Sequence, residues 1–410
     1  MSFTTSLLAA TVSSLSLIVA HFHSKVPYTQ SAARILLAFV LLGVVALLVG
    51  RSLHRPDILT FGTTLTWRTV LVAVPLAPAM LLARALWPKP QLSPPASPPP
   101  TVAPDLACAP LEPGPAPTPE PALASRLSRR TLLKSAAATL PAAAGLFGVG
   151  GQIGALESPH IRWISVQAPS GRSSARPLRI AQLSDLHLGL DKNVHDVAAT
   201  AEALSRQSLD LLVITGDVAD RLAELAPALA LLNRVPTRLG KFAVLGNHDH
   251  FHDVRFVRRT FEASDFHLLT NEHAVIKNEF RAFTIAGIDD PFAAGHRDPL
   301  FRDAQFFQRK LDGALSGAPA NGLRVILSHR PEAFDAGIVD SVILSGHTHG
   351  GQLGVLGVPV VQRISPRRFP YPWGVYEKLG STLYTTSGFG HWFPFRFGCR
   401  AETPVITISG

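Results

Sequence analysis

Gly346-His347-Thr348-His349-Gly350-Gly351-Gln352 follows the apolar run Val342 to Leu344. A His-x-His pair after a strand-like run puts two imidazoles on a loop where both can face one ligand or ion. The same punctuation recurs upstream. Leu178 to Leu183 runs into Ser184-Asp185-Leu186-His187, Leu211 to Ile214 into Gly216-Asp217, and Phe242 to Leu245 into Gly246-Asn247-His248-Asp249. Leu323 to Leu327 runs into Ser328-His329. Five short apolar runs thus end in Gly or Ser turns carrying Asp, His or Asn. A parallel or mixed sheet would gather those ends along one edge, where open α/β folds place their sites.

The strand-end residues form a ligand list: Asp185, His187, Asp217, Asn247, His329, His347 and His349. Carboxylate, amide and imidazole donors without a thiolate suit Mn²⁺, Fe or Zn²⁺. Seven ligands are too many for one ion, and a carboxylate shared between two ions resolves the excess, with Asp217 the natural bridge. His248 is not needed as a ligand. It precedes Asp249, a carboxylate that would orient or charge the ring, so both are candidate catalytic residues, His248 for stabilising the transition state or protonating a leaving oxygen. Asp220 is expected to support the turn after Asp217. His250, Arg330 and Gln352 sit beside ligand positions and are candidate substrate contacts, Arg330 because arginine holds phosphate bidentately.

Helical patterns at Asn193 to Arg206, Arg221 to Leu232 and Val254 to Ala263 separate the first strand runs. Later strands near Val275, Phe283 to Gly287, Thr382 to Thr385 and Pro404 to Ile408 have fewer helices between them, which predicts a more antiparallel half. Residues 158–410 are therefore expected to be an α/β domain, two sheets face to face with helices outside, a four-layer α/β/β/α sandwich. The aromatic residues Phe369, Tyr371 and Trp373 and the stretch Phe389-Gly390-His391-Trp392-Phe393-Pro394-Phe395 have two readings: most of the rings cap the second sheet, or they form an apolar lip that meets acyl chains or the bilayer.

The chain has 410 residues, 47% hydrophobic and 16% charged. Its mean hydropathy of +0.22 is high for one soluble domain, and the excess lies at the front. Residues 5 to 22, 34 to 50 and 60 to 87 are each long enough to cross a hydrocarbon layer, predicting about three transmembrane helices within 1–87. Residues 88–127 are Pro- and Ala-rich without periodicity, the composition of an extended linker. Residues 128–157 open on Ser128-Arg129-Arg130-Thr131-Leu132-Leu133-Lys134 and continue apolar, as a twin-arginine export signal or a fourth span. Either places the arginines in the cytoplasm and the following domain outside the inner membrane. The net charge of +9 does not imply nucleic acid, because residues 1 to 150 hold 11 Lys and Arg against 4 Asp and Glu, a net +7, and the rest carries only +2. Two cysteines, Cys108 and Cys399, imply no disulfide framework.

In their order, Asp-x-His, Gly-Asp, Gly-Asn-His-Asp, a lone His and Gly-His-x-His, these motifs resemble the calcineurin-like metallophosphoesterase superfamily, over most of the chain after residue 177. Gly346 to Gln352 and Gly287-Ile288-Asp289-Asp290 further resemble its bacterial membrane-associated branch. That branch includes twin-arginine-exported phosphodiesterases and a type of UDP-2,3-diacylglucosamine hydrolase. The resemblance implies one metal held by Asp185, His187, Asp217 and His349 and a second by Asp217, Asn247, His329 and His347. It implies hydrolysis of a phosphodiester or pyrophosphate by a hydroxide bridging two divalent ions. The implied partners are a phosphoester substrate, lipid-linked or soluble, the bilayer of a bacterial inner membrane, and the twin-arginine machinery. A non-catalytic, metal-stabilised envelope binding protein is the alternative; it predicts an eroded ligand list or a replaced His248, and neither is seen.

Overall fold

The computed structural model describes residues 13–14, 16–17, 27–53, 56–86, 129–169, 176–189, 191–278, 281–298, 300–391 and 393–409. Most of the expected first span, the whole linker at 88–127 with its Cys108, and Trp392 lie outside the described residues. The chain divides into two compact units, Met1–Gly148 and Val149–Gly410.

In the first unit, helices Pro27–Ser52 and Pro56–Leu86 pack against each other. They contain Gln30–Val49 and Phe61–Ala83, each long and apolar enough to cross a membrane. Phe39, Leu41, Leu42, Val45 and Phe61 are exposed on their outer faces. Apolar side chains all round a helix suit lipid as the outer solvent. The close crossing depends on Gly62, where a β-carbon would meet the Leu47 amide nitrogen at 2.5 Å. A third helix, Arg129–Leu156, contains the boundary between the two units and holds the candidate span Thr139–Leu156.

The second unit has fourteen strands among the described residues: β1 (His160–Gln167), β2 (Leu178–Leu183), β3 (Leu211–Thr215), β4 (Gly240–Val244), β5 (Phe266–Leu268), β6 (Glu272–Asn278), β7 (Arg281–Ile288), β8 (Leu323–Ser328), β9 (Ser341–Ser345), β10 (Gly354–Val355), β11 (Val358–Pro359), β12 (Gly374–Lys378), β13 (Ser381–Thr385) and β14 (Glu402–Ser409). One sheet has the order β1-β14-β2-β3-β4-β5, the other β12-β13-β9-β8-β7-β6, and β10-β11 is a separate hairpin. Period-two alternation assigns the side chains to layers. Along β3, Leu211 and Val213 enter the core between the sheets, where they join Val325 and Leu344 of the second sheet. Leu212 and Ile214 face outward to Val197, Leu204 and Leu229 of the covering helices. On the far side Ile326 and Ile343 pack against Phe306, Phe307 and Leu311 of helix Ala304–Ala314. The result is the expected four-layer α/β/β/α sandwich.

Two expectations are corrected. The second sheet is mainly parallel: β7, β8, β9 and β13 run the same way, and only the edge strands β6 and β12 are antiparallel. Helix Ala304–Ala314, whose apolar stripe is diluted by charge, returns the chain between β7 and β8 and makes their parallel pairing possible. Tyr371 packs on the outer side of the second sheet as expected, but Phe389 does not cap that sheet; it is fully buried on the helix-facing side of the first.

Candidate metal centre

The five apolar runs are β2, β3 and β4, adjacent and parallel in one sheet, and β8 and β9, adjacent and parallel in the other. Their C-terminal ends bring the seven candidate ligands together. Ligand atoms of Asp185, His187 and His349 lie within 4.8 Å of one another, as do those of Asp217, His329 and His347. The His329 Nε2 lies 3.2 Å from Asp217 Oδ2, from Asn247 Oδ1 and from His347 Nδ1. His349 Nε2 is 3.4 Å from Asp185 Oδ1, and the His187 and His349 rings stack at 5.1 Å.

The backbone carries a cost to achieve this. Asp185, His187, Asp217, His347 and His349 all have left-handed φ, between 47° and 69°. Each costs a non-glycine residue on the order of 1–2 kcal/mol, and such strain collects where a ligand set must be aimed. Neighbouring glycines make the approach possible. A β-carbon on Gly346 would meet Ser184 Oγ at 2.0 Å and Asp185 Oδ2 at 2.2 Å, and one on Gly246 would meet Asp217 Oδ1 at 2.2 Å. The His347 amide donates to the Asp185 carboxylate at 3.0 Å, tying the end of β9 to the end of β2 across the two sheets.

Donor chemistry fits cations. The buried His187 Nε2 has no hydrogen-bond partner, and it lies 3.7 Å from Asp217 Oδ2. A buried imidazole nitrogen that faces a carboxylate and makes no hydrogen bond of its own suits a metal ligand. Burial works to raise the Asp217 carboxyl, but His329 and His248 outweigh it and hold it well below the usual carboxylate range. Burial works to lower His329, and Asp217 and Asp185 outweigh it, raising it to about 10. A field that favours a proton at His329 also favours a divalent cation in its place. Burial and then His187 push His349 well below its ordinary value, leaving a neutral ring able to ligate.

Asp220 is the residue whose reach exceeds its sequence reading. Its carboxylate accepts from His187 Nδ1 at 2.8 Å, His248 Nδ1 at 2.8 Å and His252 Nε2 at 3.3 Å. It fixes the tautomer of a candidate ligand and of the candidate acid at once. His252 was not among the expected site residues; its signal is the i,i+4 spacing from His248 on a turn that proves helical. Burial opposes ionisation of Asp220, yet these three hydrogen bonds hold it far below the usual range. For His248, burial works downward and Asp217 with Asp220 overcome it, raising the ring to about 9.

Asp249 does not face the His248 ring. It accepts from the backbone amides of Asp217 (2.8 Å), Val218 (3.0 Å) and Gly246 (2.8 Å), so it clamps the ends of β3 and β4 together. The three expected substrate contacts are also engaged elsewhere. His250 Nε2 binds Asp289 Oδ1 at 2.7 Å. Arg330 is buried, with Nε donating to Asp290 Oδ2 at 2.8 Å. The buried Gln352 donates to the carbonyls of Phe393 and Phe395. Arg330 sits one step along the chain from a candidate ligand, and His250 and Gln352 sit three steps away; each side chain is turned to a partner outside the ligand cluster.

Residues 178–351 match the Calcineurin-like phosphoesterase family. A "Transmembrane protein with metallophosphoesterase domain" of Danio rerio is 28% identical over 301 residues, 71% of this chain and 65% of that protein. An uncharacterized metallophosphoesterase of Helicobacter pylori is 28% identical over 240 residues, 57% of this chain and 60% of that protein. One of Aquifex aeolicus is 31% identical over 241 residues, 57% of this chain and 85% of that protein. The chain thus spans less than two thirds of the length of the Danio rerio and Helicobacter pylori relatives.

Proposed function

The chain belongs to the calcineurin-like phosphoesterase family, and we propose that it is a membrane-anchored metallophosphoesterase that hydrolyses a phosphodiester or pyrophosphate bond. The observation that carries this reading is the convergence of Asp185, His187, Asp217, Asn247, His329, His347 and His349 in two adjoining groups, with His248 at their edge. Asp185, His187, Asp217 and His349 would hold one divalent ion, and Asp217, Asn247, His329 and His347 the other, of Mn²⁺, Fe or Zn²⁺. Two such ions supply an activated water and neutralise charge on the phosphoryl oxygens.

The chain's own groups do the rest. His248 donates its backbone amide to Asp217 Oδ1 at 2.8 Å and its Nδ1 faces Asp220, so the ring is held with Nε2 as the atom that can deliver a proton to the departing oxygen. The Asp220 carboxylate facing Nδ1 favours the protonated ring. Beside it, Phe251 is 63% exposed with its ring 5.5 Å from that of His248, an apolar wall next to the leaving group. That wall supports a substrate with an apolar or planar substituent, of which a lipid-linked nucleotide such as UDP-2,3-diacylglucosamine is one form. The apolar helices support anchoring in a bacterial inner membrane. Arg129 and Arg130, at the start of the third helix, support a cytoplasmic start and an outward-facing domain, delivered by the twin-arginine machinery or by membrane insertion.

Mn²⁺-dependent hydrolysis by the full-length chain in detergent tests the reading, with bis(p-nitrophenyl) phosphate, a phosphomonoester and UDP-2,3-diacylglucosamine compared. Turnover of the diester or the pyrophosphate, lost on chelation, is expected. Absence of turnover with both ions bound would overturn it in favour of a binding protein.

A further inference from the structure

The hairpin β10-β11 and the segment after it form a surface that the metal centre does not use. The pairs Gly354 with Pro359 and Val355 with Val358 leave Leu356-Gly357 as a two-residue turn, and both residues are left-handed, at φ 52° and 77°. Such a turn favours Asn or Asp before Gly, because their short polar side chains tolerate left-handed backbone and leucine does not. Leu356 is also 99% exposed. Leucine is therefore disfavoured here twice, by the backbone and by water, and asparagine would suit both. Ile364, 76% exposed, and the exposed Val355 extend the apolar character.

Two further observations say what covers it. First, the hairpin is continuous with the end of a candidate membrane span. The Gly354 amide donates to the Phe397 carbonyl at 2.8 Å, and the Arg396 amide donates to the Gly151 carbonyl at 2.7 Å. A β-carbon on Gly150 would touch the Phe397 ring at 3.4 Å. Gly150 and Gly151 lie in the span Thr139–Leu156. Second, the segment is purely basic. Arg363, Arg367 and Arg368 are exposed around Ile364, and no Asp or Glu occurs from Gly350 to Tyr376.

We propose that this surface seats on an anionic lipid bilayer, with Leu356 and Ile364 entering the acyl boundary and Arg363, Arg367 and Arg368 meeting phospholipid headgroups. The proposal rests on the membrane-anchored reading above, through the candidate span Thr139–Leu156, and does not depend on the reaction at the metal centre.

Hydrogen exchange followed by mass spectrometry on the full chain in lipid nanodiscs tests it. Discs of phosphatidylcholine alone are compared with discs containing about one third phosphatidylglycerol, since the electrostatic part of the attraction needs anionic lipid. Residues 353–364 are expected to exchange about tenfold more slowly in the anionic discs. Leu356→Asn, which suits the turn, is expected to abolish that difference while exchange in β2, β3 and β4 stays unchanged. Arg363→Glu, Arg367→Glu and Arg368→Glu together are expected to do the same. Equal exchange of 353–364 in both lipids, or lipid-dependent protection that survives Leu356→Asn, overturns the proposal whether or not the chain hydrolyses a phosphoester.

Discussion

In Gly346-His347-Thr348-His349 the backbone is left-handed at both histidines, at φ 69° and 50°, whereas Asn247-His248-Asp249-His250-Phe251 is a helical turn with His252 at its end. Both stretches space histidines two apart. On the irregular loop, His347 joins His329 and Asp217 while His349 joins Asp185 and His187. On the helical turn, residues two apart point away from each other and residues four apart share a face. His248 and His252 therefore both reach Asp220, while His250 turns to Asp289, which Arg258 also binds at 3.2 Å. Identical spacing thus has opposite meanings, and backbone conformation decides which one applies.

That contrast can be broken by substitution. His248→Ala is expected to lower kcat by about 10²- to 10⁴-fold, the range for a lost general acid, with metal content unchanged. Loss of metal along with activity would show that His248 ligates instead. Asp220→Asn takes away the carboxylate that His187 and His248 share, and should cost about 10- to 100-fold in metal affinity or activity; kcat and metal titration, measured together, separate the two. A value within twofold of the parent would mean that the shared carboxylate is only structural.

Smaller effects sharpen the contrast. His252→Gln should change kcat by less than about tenfold, because His248 keeps its own bond to Asp220. His250→Gln should leave kcat near the parent value and lower stability by about 1 kcal/mol, the ordinary worth of a lost hydrogen bond, since Arg258 still pairs with Asp289. Steady-state kinetics beside denaturant unfolding distinguishes these outcomes. A tenfold fall in kcat for His250→Gln with unaltered stability would place that ring in the reaction.

The strands and the convergence of the candidate ligands were legible because buried strands read as apolar runs and because Gly-Asp, Gly-Asn-His and Gly-His-x-His interrupt them at the same point. Direction was not. Nothing in Arg330 alone says that Asp290, forty residues upstream, will take its guanidinium into the core, or that Gln352 will serve the carbonyls of Phe393 and Phe395. Adjacency in sequence suggested that Asp249 orients His248, but the helical turn carries that carboxylate back to the amides just past the ends of β3 and β4, and Asp220 takes the role from a different strand end. The parallel second sheet was hidden because helix Ala304–Ala314 interleaves its apolar face with Arg309, Lys310 and Asp312.

The most direct test of the account is the metal content of full-length protein, stripped by chelation and reloaded with Mn²⁺, measured with diester hydrolysis for the parent and Asp217→Asn. Two ions per chain in the parent, one or none in Asp217→Asn, and hydrolysis that returns only with the second ion are the predicted results. Undiminished hydrolysis by the stripped chain, or by Asp217→Asn with one ion bound, would contradict it.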